Sequence, residues 1–259
     1  MEYYVIDAFA EDIFRGNPAG VCVSEKELPA ELMQKIASEN NLSETAFLVK
    51  CGEKYCLRWF TPLFEIDLCG HATLAAAFVV MNFVEPDLNV VCFNTASGEL
   101  SVSRSGGLYE MRFPERVPEK IEATSEIIEA LGIVPNEVYS ERDLFAVLES
   151  EKEVRSFVPN YKKLEKLNKW LGISVSAKGE KADFVSRFFC PELKSEDPVT
   201  GSAHCSLVPI WEEKLGKTVL EAEQLSERGG KLNCKHEDGF VIISGKAVLY
   251  LKGEIFLLK

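Results

Sequence analysis

The chain has 259 residues, enough for one large domain or two of ordinary size. Hydrophobic residues make up 46% and charged residues 27%, the values of a globular protein able to fill a core. A formal net charge of −12 argues against a sequence-independent grip on nucleic acid or on an anionic membrane. No run approaches the roughly 20 apolar residues of a membrane-spanning helix. The first residues, Met1 to Phe9, lack the basic-then-apolar order of a secretory signal. Eight cysteines lie dispersed with no Cys-x-x-Cys pair, which reads as reduced thiols in a cytoplasmic protein.

Taken in order, Tyr3 to Phe9 predicts a strand, and Arg15 to Gly20 a turn-rich loop before the extended Val21-Cys22-Val23. From Pro29 to about Asn40 the apolar spacing of Leu32, Met33, Ile36 and Ala37 predicts a helix. Ser43-Glu44-Thr45 then leads into the apolar strand Ala46 to Val49, and Tyr55 to Phe60 predicts another. Asp67-Leu68-Cys69-Gly70-His71-Ala72-Thr73 opens an Ala- and Leu-rich helix. Short strands follow at 90–93, 100–102 and 109–113, and the segment Pro114 to Pro118 reads as a domain boundary. This divides the chain into halves at 1–113 and 119–259, with the last strand free to pack on the other half.

The second half predicts a helix over 125–131, strands near 138–139 and 144–148, a helix over 161–171 and a strand over 182–189. A second glycine turn, Glu196 to His204, then opens a helical pattern through Trp211 and Leu215. Strands over 239–243 and 247–251 close the chain. The mixture lacks strict strand-helix alternation, so the fold class is α+β with largely antiparallel sheets rather than a doubly wound parallel sheet.

The two glycine turns carry the chemical signal. The first amides of a helix have no internal partner and sit at the positive end of its dipole. A glycine there lets an anionic group approach the backbone. Gly70-His71-Ala72 and Gly201-Ser202 therefore read as receivers for a carboxylate-bearing small molecule, two such halves facing each other across a cleft. His71 and Asp197 can bond polar groups or move protons. Glu44 stands where a polar stretch turns apolar, and a carboxylate held partly out of water is suited to taking up and returning a proton. No phosphate-binding loop, dinucleotide glycine fingerprint or serine nucleophile elbow is present, so the implied chemistry needs no cofactor. Singly, each residue has a plainer role: Glu44 as a solvated edge residue, His71 as a helix cap, Cys69 as a small buried hydrophobe, Gly201-Ser202 as a capped helix start. Cys69, His71, His204 and Cys205 lack finger-like spacing, and no metal is expected.

At these residues the chain resembles the phenazine-biosynthesis PhzF-like isomerase family. The likeness rests on Asp7-Ala8-Phe9, Arg15-Gly16-Asn17-Pro18-Ala19, Asn41-Leu42-Ser43-Glu44-Thr45-Ala46-Phe47, Phe60-Thr61-Pro62 and Asp67 to Thr73. It continues through Ser186-Arg187-Phe188-Phe189, Glu196 to His204 and Arg228-Gly229-Gly230. The resemblance implies a diaminopimelate-epimerase-like fold of two similar halves, each a curved, mostly antiparallel sheet around a central helix, and a homodimer. The best-understood member isomerises trans-2,3-dihydro-3-hydroxyanthranilate without cofactor. Its proton-shuttling glutamate falls on Glu44, its histidine and aspartate partners on His71 and Asp197, and its substrate-holding positions on Gly70, Gly201 and Ser202. Related racemases on this fold use one cysteine per half. Here Cys69 precedes Gly70-His71, while the second turn carries no thiol at the matching place.

The leading expectation is thus a cofactor-independent isomerase moving a proton within a small carboxylate-bearing substrate, with Glu44 as base and acid. An amino-acid racemase or epimerase using Cys69, and a non-catalytic small-acid binding protein, are the alternatives.

Overall fold

A computed structural model describes residues 1–257. The fold is α+β, and the chain divides into two units, Met1–Arg112 with the segment from Ser244 onward, and Phe113–Ile243.

In the first unit β1 (Glu2–Ala8) pairs antiparallel with β2 (Asn17–Ser24). Helix α1 (Ala30–Asn40) then crosses to β3 (Glu44–Cys51), which lies parallel to β2. Next come β4 (Lys54–Phe60) and the short β5 (Glu65–Ile66), each antiparallel to the strand before it. Helix α2 (Gly70–Val79) follows, continued by a π-helical turn at Val80–Val84. After it β6 (Val90–Thr95) joins β4 in parallel, and β7 (Gly98–Ser105) and β8 (Leu108–Pro114) complete an antiparallel meander.

The local reasons are legible in the side chains. Helix α1 buries Met33, Ile36 and Ala37 on one face and stops at Asn41, whose left-handed φ of 49° returns its N–H to Ala37 O. Helix α2 has no polar face: His71 to Ala77 and Val79 are all buried, and it packs against β1, β2, β3 and β7. An element apolar all round is stable only inside a core. Gly16 has a φ of 64°, and a Cβ there would lie 2.1 Å from Ala8 O, so no other residue lets the chain enter β2 at Asn17. The expected loop over 15–20 therefore ends earlier, because Asn17 to Gly20 already pair with Ala8 to Val5.

The second unit holds β9 (Glu119–Ile121), α3 (Ser125–Leu131), β10 (Glu137–Ser140), β11 (Leu144–Val147), α4 (Glu151–Ser156) and α5 (Tyr161–Leu164). Beyond these lie β12 (Ile173–Lys178), β13 (Phe184–Cys190), β14 (Ser195–Asp197) and α6 (Gly201–Leu215). β15 (Val219–Gln224), β16 (Gly230–Glu237) and β17 (Phe240–Gly245) follow, and β18 (Ala247–Glu254) pairs antiparallel with β1 back in the first unit. Residues 119–259, read as one half, accordingly part at Ile243, and 258–259 lie outside the described residues.

The core of this unit gathers Ile127, Leu144, Val154, Leu164, Ile173 and Phe189. On α6, Trp211 stacks on Phe184 with ring centres 5.7 Å apart and planes 4° apart, a pair worth about 0.5–1.5 kcal/mol beyond the area it buries.

Two expectations need correction. The helix over 161–171 is only the single turn α5: beyond it Leu167 and Trp170 each bond three residues back, to Leu164 and Leu167. That tighter winding brings Leu164, Leu167 and Trp170 to one side, and all three are buried. The thiols are also not all reduced, since Cys51 and Cys56 form a disulfide across the turn that joins β3 to β4, their Cα atoms 5.9 Å apart. The other six are free. No helix among the described residues is long and apolar enough to cross a membrane.

Candidate active site

The start of α2 gathers the titratable groups of the first unit. Cys69 takes the N-cap position in extended backbone and offers no side-chain cap, so the dipole of α2 is left for another anion. Its carbonyl accepts from Thr73 N at 3.1 Å and from Thr73 Oγ1 at 2.5 Å, which fixes the turn. His71, the second residue of the helix, points into the protein and is 6% exposed.

Three groups surround the imidazole. Glu44, the first residue of β3, places Oε2 3.0 Å from Nε2. The Asn17 amide lies 3.2 Å and the Cys69 sulfur 3.5 Å from Nδ1. Asn17 is fully buried at the head of β2 and reaches this place through a loop in which Phe9 and Phe14 adopt φ of 59° and 67°. Bulky residues rarely take that conformation, and such strain persists only where surrounding structure enforces it.

The electrostatics follow from burial and neighbours. Burial opposes charge on His71, but its contacts with the Cys69 sulfur and the Glu44 carboxylate outweigh it and hold the imidazole pKa well above its usual value. Burial pushes the Cys69 thiol up. The site therefore sets an acceptor carboxylate beside a cation, with a thiol in contact with the cation's far side. Oxygen, nitrogen and sulfur donors of Glu44, His71 and Cys69 lie within 4.8 Å of one another, the one such group among the described residues that could hold a metal ion.

The second glycine turn is built differently. Thr200 takes the N-cap position of α6 but offers no side-chain cap to the helix. Its hydroxyl donates instead to Asp197 Oδ2 at 2.6 Å, while its N–H donates to Gln224 Oε1 at 2.8 Å. Gln224 Nε2 donates in turn to Asp197 O at 2.7 Å, which ties β14, the turn and β15 together. Ser202 Oγ accepts from Arg142 Nη2 at 3.1 Å. Arg142, also paired with the buried Asp143 at 2.6 Å, is a cation beside the predicted residues that the sequence reading passed over. His204 and Cys205 serve their own helix: His204 Nδ1–H donates to Thr200 O at 2.8 Å, and burial lowers its pKa to about 4. Burial pushes the Cys205 thiol up to about 11.

Of the expected residues, the structure joins Glu44, Cys69 and His71 in direct contact beside Gly70 and Ala72. It places Asp197, Gly201 and Ser202 together at the head of α6. Asn17 is the missed neighbour. Its signal was the Arg15-Gly16-Asn17-Pro18 run, in which a glycine of forced conformation delivers a polar side chain into a core.

Comparison with known proteins agrees with this architecture. The family model described as phenazine biosynthesis-like protein matches residues 6–253. An isomerase of Pseudomonas aeruginosa, described as uncharacterized, is 47% identical over 255 residues covering 98% of both chains. The crystal structure of a phenazine biosynthesis PhzC/PhzF protein from Clostridium difficile matches with a TM-score of 0.97 and 57% identity, over 99% of this chain and 100% of that one. A structure described as a proline racemase from Agrobacterium radiobacter, covering 99% of this chain and 93% of its own at 10% identity and a TM-score of 0.65, shares the fold alone. The chain belongs to the phenazine biosynthesis-like family, in which relatives this similar carry the name isomerase.

Proposed function

We propose that this isomerase moves a proton within a small carboxylate-bearing substrate, with Glu44 as the group that removes the proton from one carbon and returns it to another. The observation that supports it is the contact of Glu44 with His71, 3.0 Å apart at the start of a buried helix. A carboxylate in that place can accept a proton, while the adjacent cation and the helix amides steady negative charge as it develops on the substrate. His71 is the proposed partner in that stabilisation, with Gly70 and Ala72 lending backbone amides. In the second unit Asp197, Gly201 and Ser202 are proposed to hold substrate, and Arg142 becomes a further candidate for its carboxylate. Proton transfer of this kind asks for no redox or group-transfer cofactor. A cytoplasmic homodimer is the proposed working form, checked by sedimentation of the purified chain.

The test is solvent exchange. Candidate acids are incubated with the protein in deuterated water and deuterium incorporation is followed by mass spectrometry. Glu44→Gln abolishes incorporation if the reading is right, and full turnover by that variant removes Glu44 from the role.

A racemase or epimerase centred on Cys69 is the second reading, and the sulfur's 3.5 Å contact with His71 favours it. Two observations weigh against it: burial raises the thiol's pKa, and Thr200 stands at the N-cap where a second thiol would be needed. Exchange at an amino-acid α-carbon that disappears in Cys69→Ala would establish it.

A further inference from the structure

We propose that Glu44, Cys69 and His71 form a binding site for a thiophilic divalent cation of the zinc class, whose arrival takes Glu44 and His71 out of proton transfer. The consequence for proton transfer rests on the reading of Glu44 given above; the site itself does not.

Three observations carry it. First, the donors converge: one atom each from a carboxylate, an imidazole and a thiol lie within 4.8 Å of one another. Zinc binds sulfur at about 2.3 Å and nitrogen or oxygen at about 2.0–2.2 Å, so its ligands stand roughly 3–4 Å apart. The Glu44–His71 separation of 3.0 Å, measured at Nε2, is already of that size, while the Cys69 sulfur stands 3.5 Å from the other ring nitrogen, Nδ1. Binding of one ion by all three requires the imidazole to turn so that a single ring nitrogen meets both neighbours.

Second, Glu44 Oε2 and His71 Nε2 are both buried and lie 3.0 Å apart, yet neither makes a hydrogen bond of proper direction. The pair is held by charge without a well-directed hydrogen bond, so a metal ion that displaces the imidazolium proton can take a lone pair from each atom. Glu44 keeps 16% of its side chain exposed, which leaves a path from solvent.

Third, the donor set selects the ion. Magnesium and calcium ask for a shell of oxygens, and one carboxylate does not supply it. A thiolate with an imidazole and a carboxylate suits zinc and its neighbours, and three protein ligands leave a fourth position open. On binding, the Cys69 thiol gives up its proton to solvent and His71 coordinates through a bare nitrogen, so affinity rises with pH.

The experiment uses the full chain with the Cys51–Cys56 disulfide intact. Zinc is titrated in competition with a chromogenic chelator, and cobalt(II) serves as the spectroscopic probe, because a cobalt–thiolate bond gives an intense near-ultraviolet charge-transfer band. One equivalent binds, the cobalt band appears, and the His71 ring resonances stop titrating. Cys69→Ser removes the band and weakens zinc by at least about tenfold, while Cys92→Ser changes neither. Should Cys69→Ser fail to fold, Glu44→Gln supplies the same loss of affinity with the band retained. Absence of saturable uptake, or a band that survives Cys69→Ser, overturns the site. Turnover retained by Glu44→Gln overturns the proton-transfer reading alone and leaves the metal titration standing.

Discussion

The two units share one pattern of strand pairings but hold different groups at the turn that opens the central helix. In the first, β1 and β2 are antiparallel, β3 joins β2 in parallel, β4 and β5 are antiparallel, and β6 returns parallel to β4 after the central helix. In the second, β10 and β11, then β12, then β13 and β14, then β15 repeat every one of those pairings. Even an ion pair recurs. Arg58 grips Glu65 through Nε and Nη2 at 2.6 and 2.8 Å, and Arg187 grips Glu196 through the same atoms at 2.7 and 2.8 Å. Each guanidinium lies over the aromatic ring two residues on, Phe60 or Phe189. Each acid precedes the leading glycine of the central helix by the same interval. A residue from the preceding loop or strand head reaches the second helical residue in both, Asn17 to His71 and Arg142 to Ser202.

The difference lies in what the repeated frame holds. Where the first unit has Glu44, Cys69 and His71, the second has Gly172, Thr200 and Ser202 at the corresponding register. The frame that aims a helix start is kept twice, and the carboxylate–imidazole–thiol cluster occurs once among the described residues. A proton carried from one carbon to another by one group would need a single base, whereas a second helix start with a cation near it remains useful for holding an anion.

That comparison can be broken at several points. The largest effect expected is at Glu44: Glu44→Gln lowers the exchange rate by about 10²- to 10⁴-fold, the usual contribution of a positioned general base. Ser202→Ala, altering the second turn, raises KM more than it lowers kcat. Equal losses at both positions, read from deuterium incorporation, would refute the division of labour.

Next come the two buried histidines, whose titrations run in opposite directions. His204 has a folded pKa of about 4 against an ordinary value of 6.5. Above pH 6.5 it is neutral folded or unfolded. As pH falls toward 4 the unfolded chain takes a proton that the folded chain refuses, and stability declines by about 3 kcal/mol. His71 is raised, so its contribution is fully present below 6.5 and is lost as pH rises through the folded value. Urea unfolding across pH shows both limbs, and His204→Gln flattens the acid one.

The smallest effects separate the twin ion pairs. Arg187 is 12% exposed and also donates to the carbonyls of Val154 and Phe157, at 3.3 and 2.6 Å. Removing it strands Glu196, itself 20% exposed, and Arg187→Ala costs about 3 kcal/mol. Arg58 is 31% exposed and pairs in contact with water, so Arg58→Ala costs under about 1 kcal/mol. Equal midpoints of urea unfolding for the two variants would show the copies to be energetically alike.

Much of the first unit was legible from its residues because its signals are local. The Ala-rich run opening at Gly70 is α2, and Glu44 and His71 do meet. The second unit hid more. Strand β12 is buried on both faces yet carries Ser174 and Ser176, which break the apolar pattern that would announce it. Ser176 is tolerated there because its hydroxyl donates to Val185 O and accepts from Trp211 Nε1, both at 2.8 Å, partners no local reading foresees. Helix α4 had a visible mark in Ser150-Glu151-Lys152-Glu153, where the serine caps the Glu153 amide. The alternation Gly230, Leu232, Cys234 similarly marks β16. The repeated Arg-x-Phe followed by Glu and then Gly was also present in plain letters, and its meaning came only when both copies were seen to be the same clasp.

The pairing of β18 with β1 has a temporal side. The second unit is one uninterrupted stretch of chain, while the first must wait for a strand that is translated after the second unit is complete. During synthesis, therefore, the portion bearing Glu44 and His71 emerges early but keeps an unsatisfied strand edge until β18 has left the ribosome. The later-made portion can close before it, so the order in which the two mature is the reverse of the order in which they are translated.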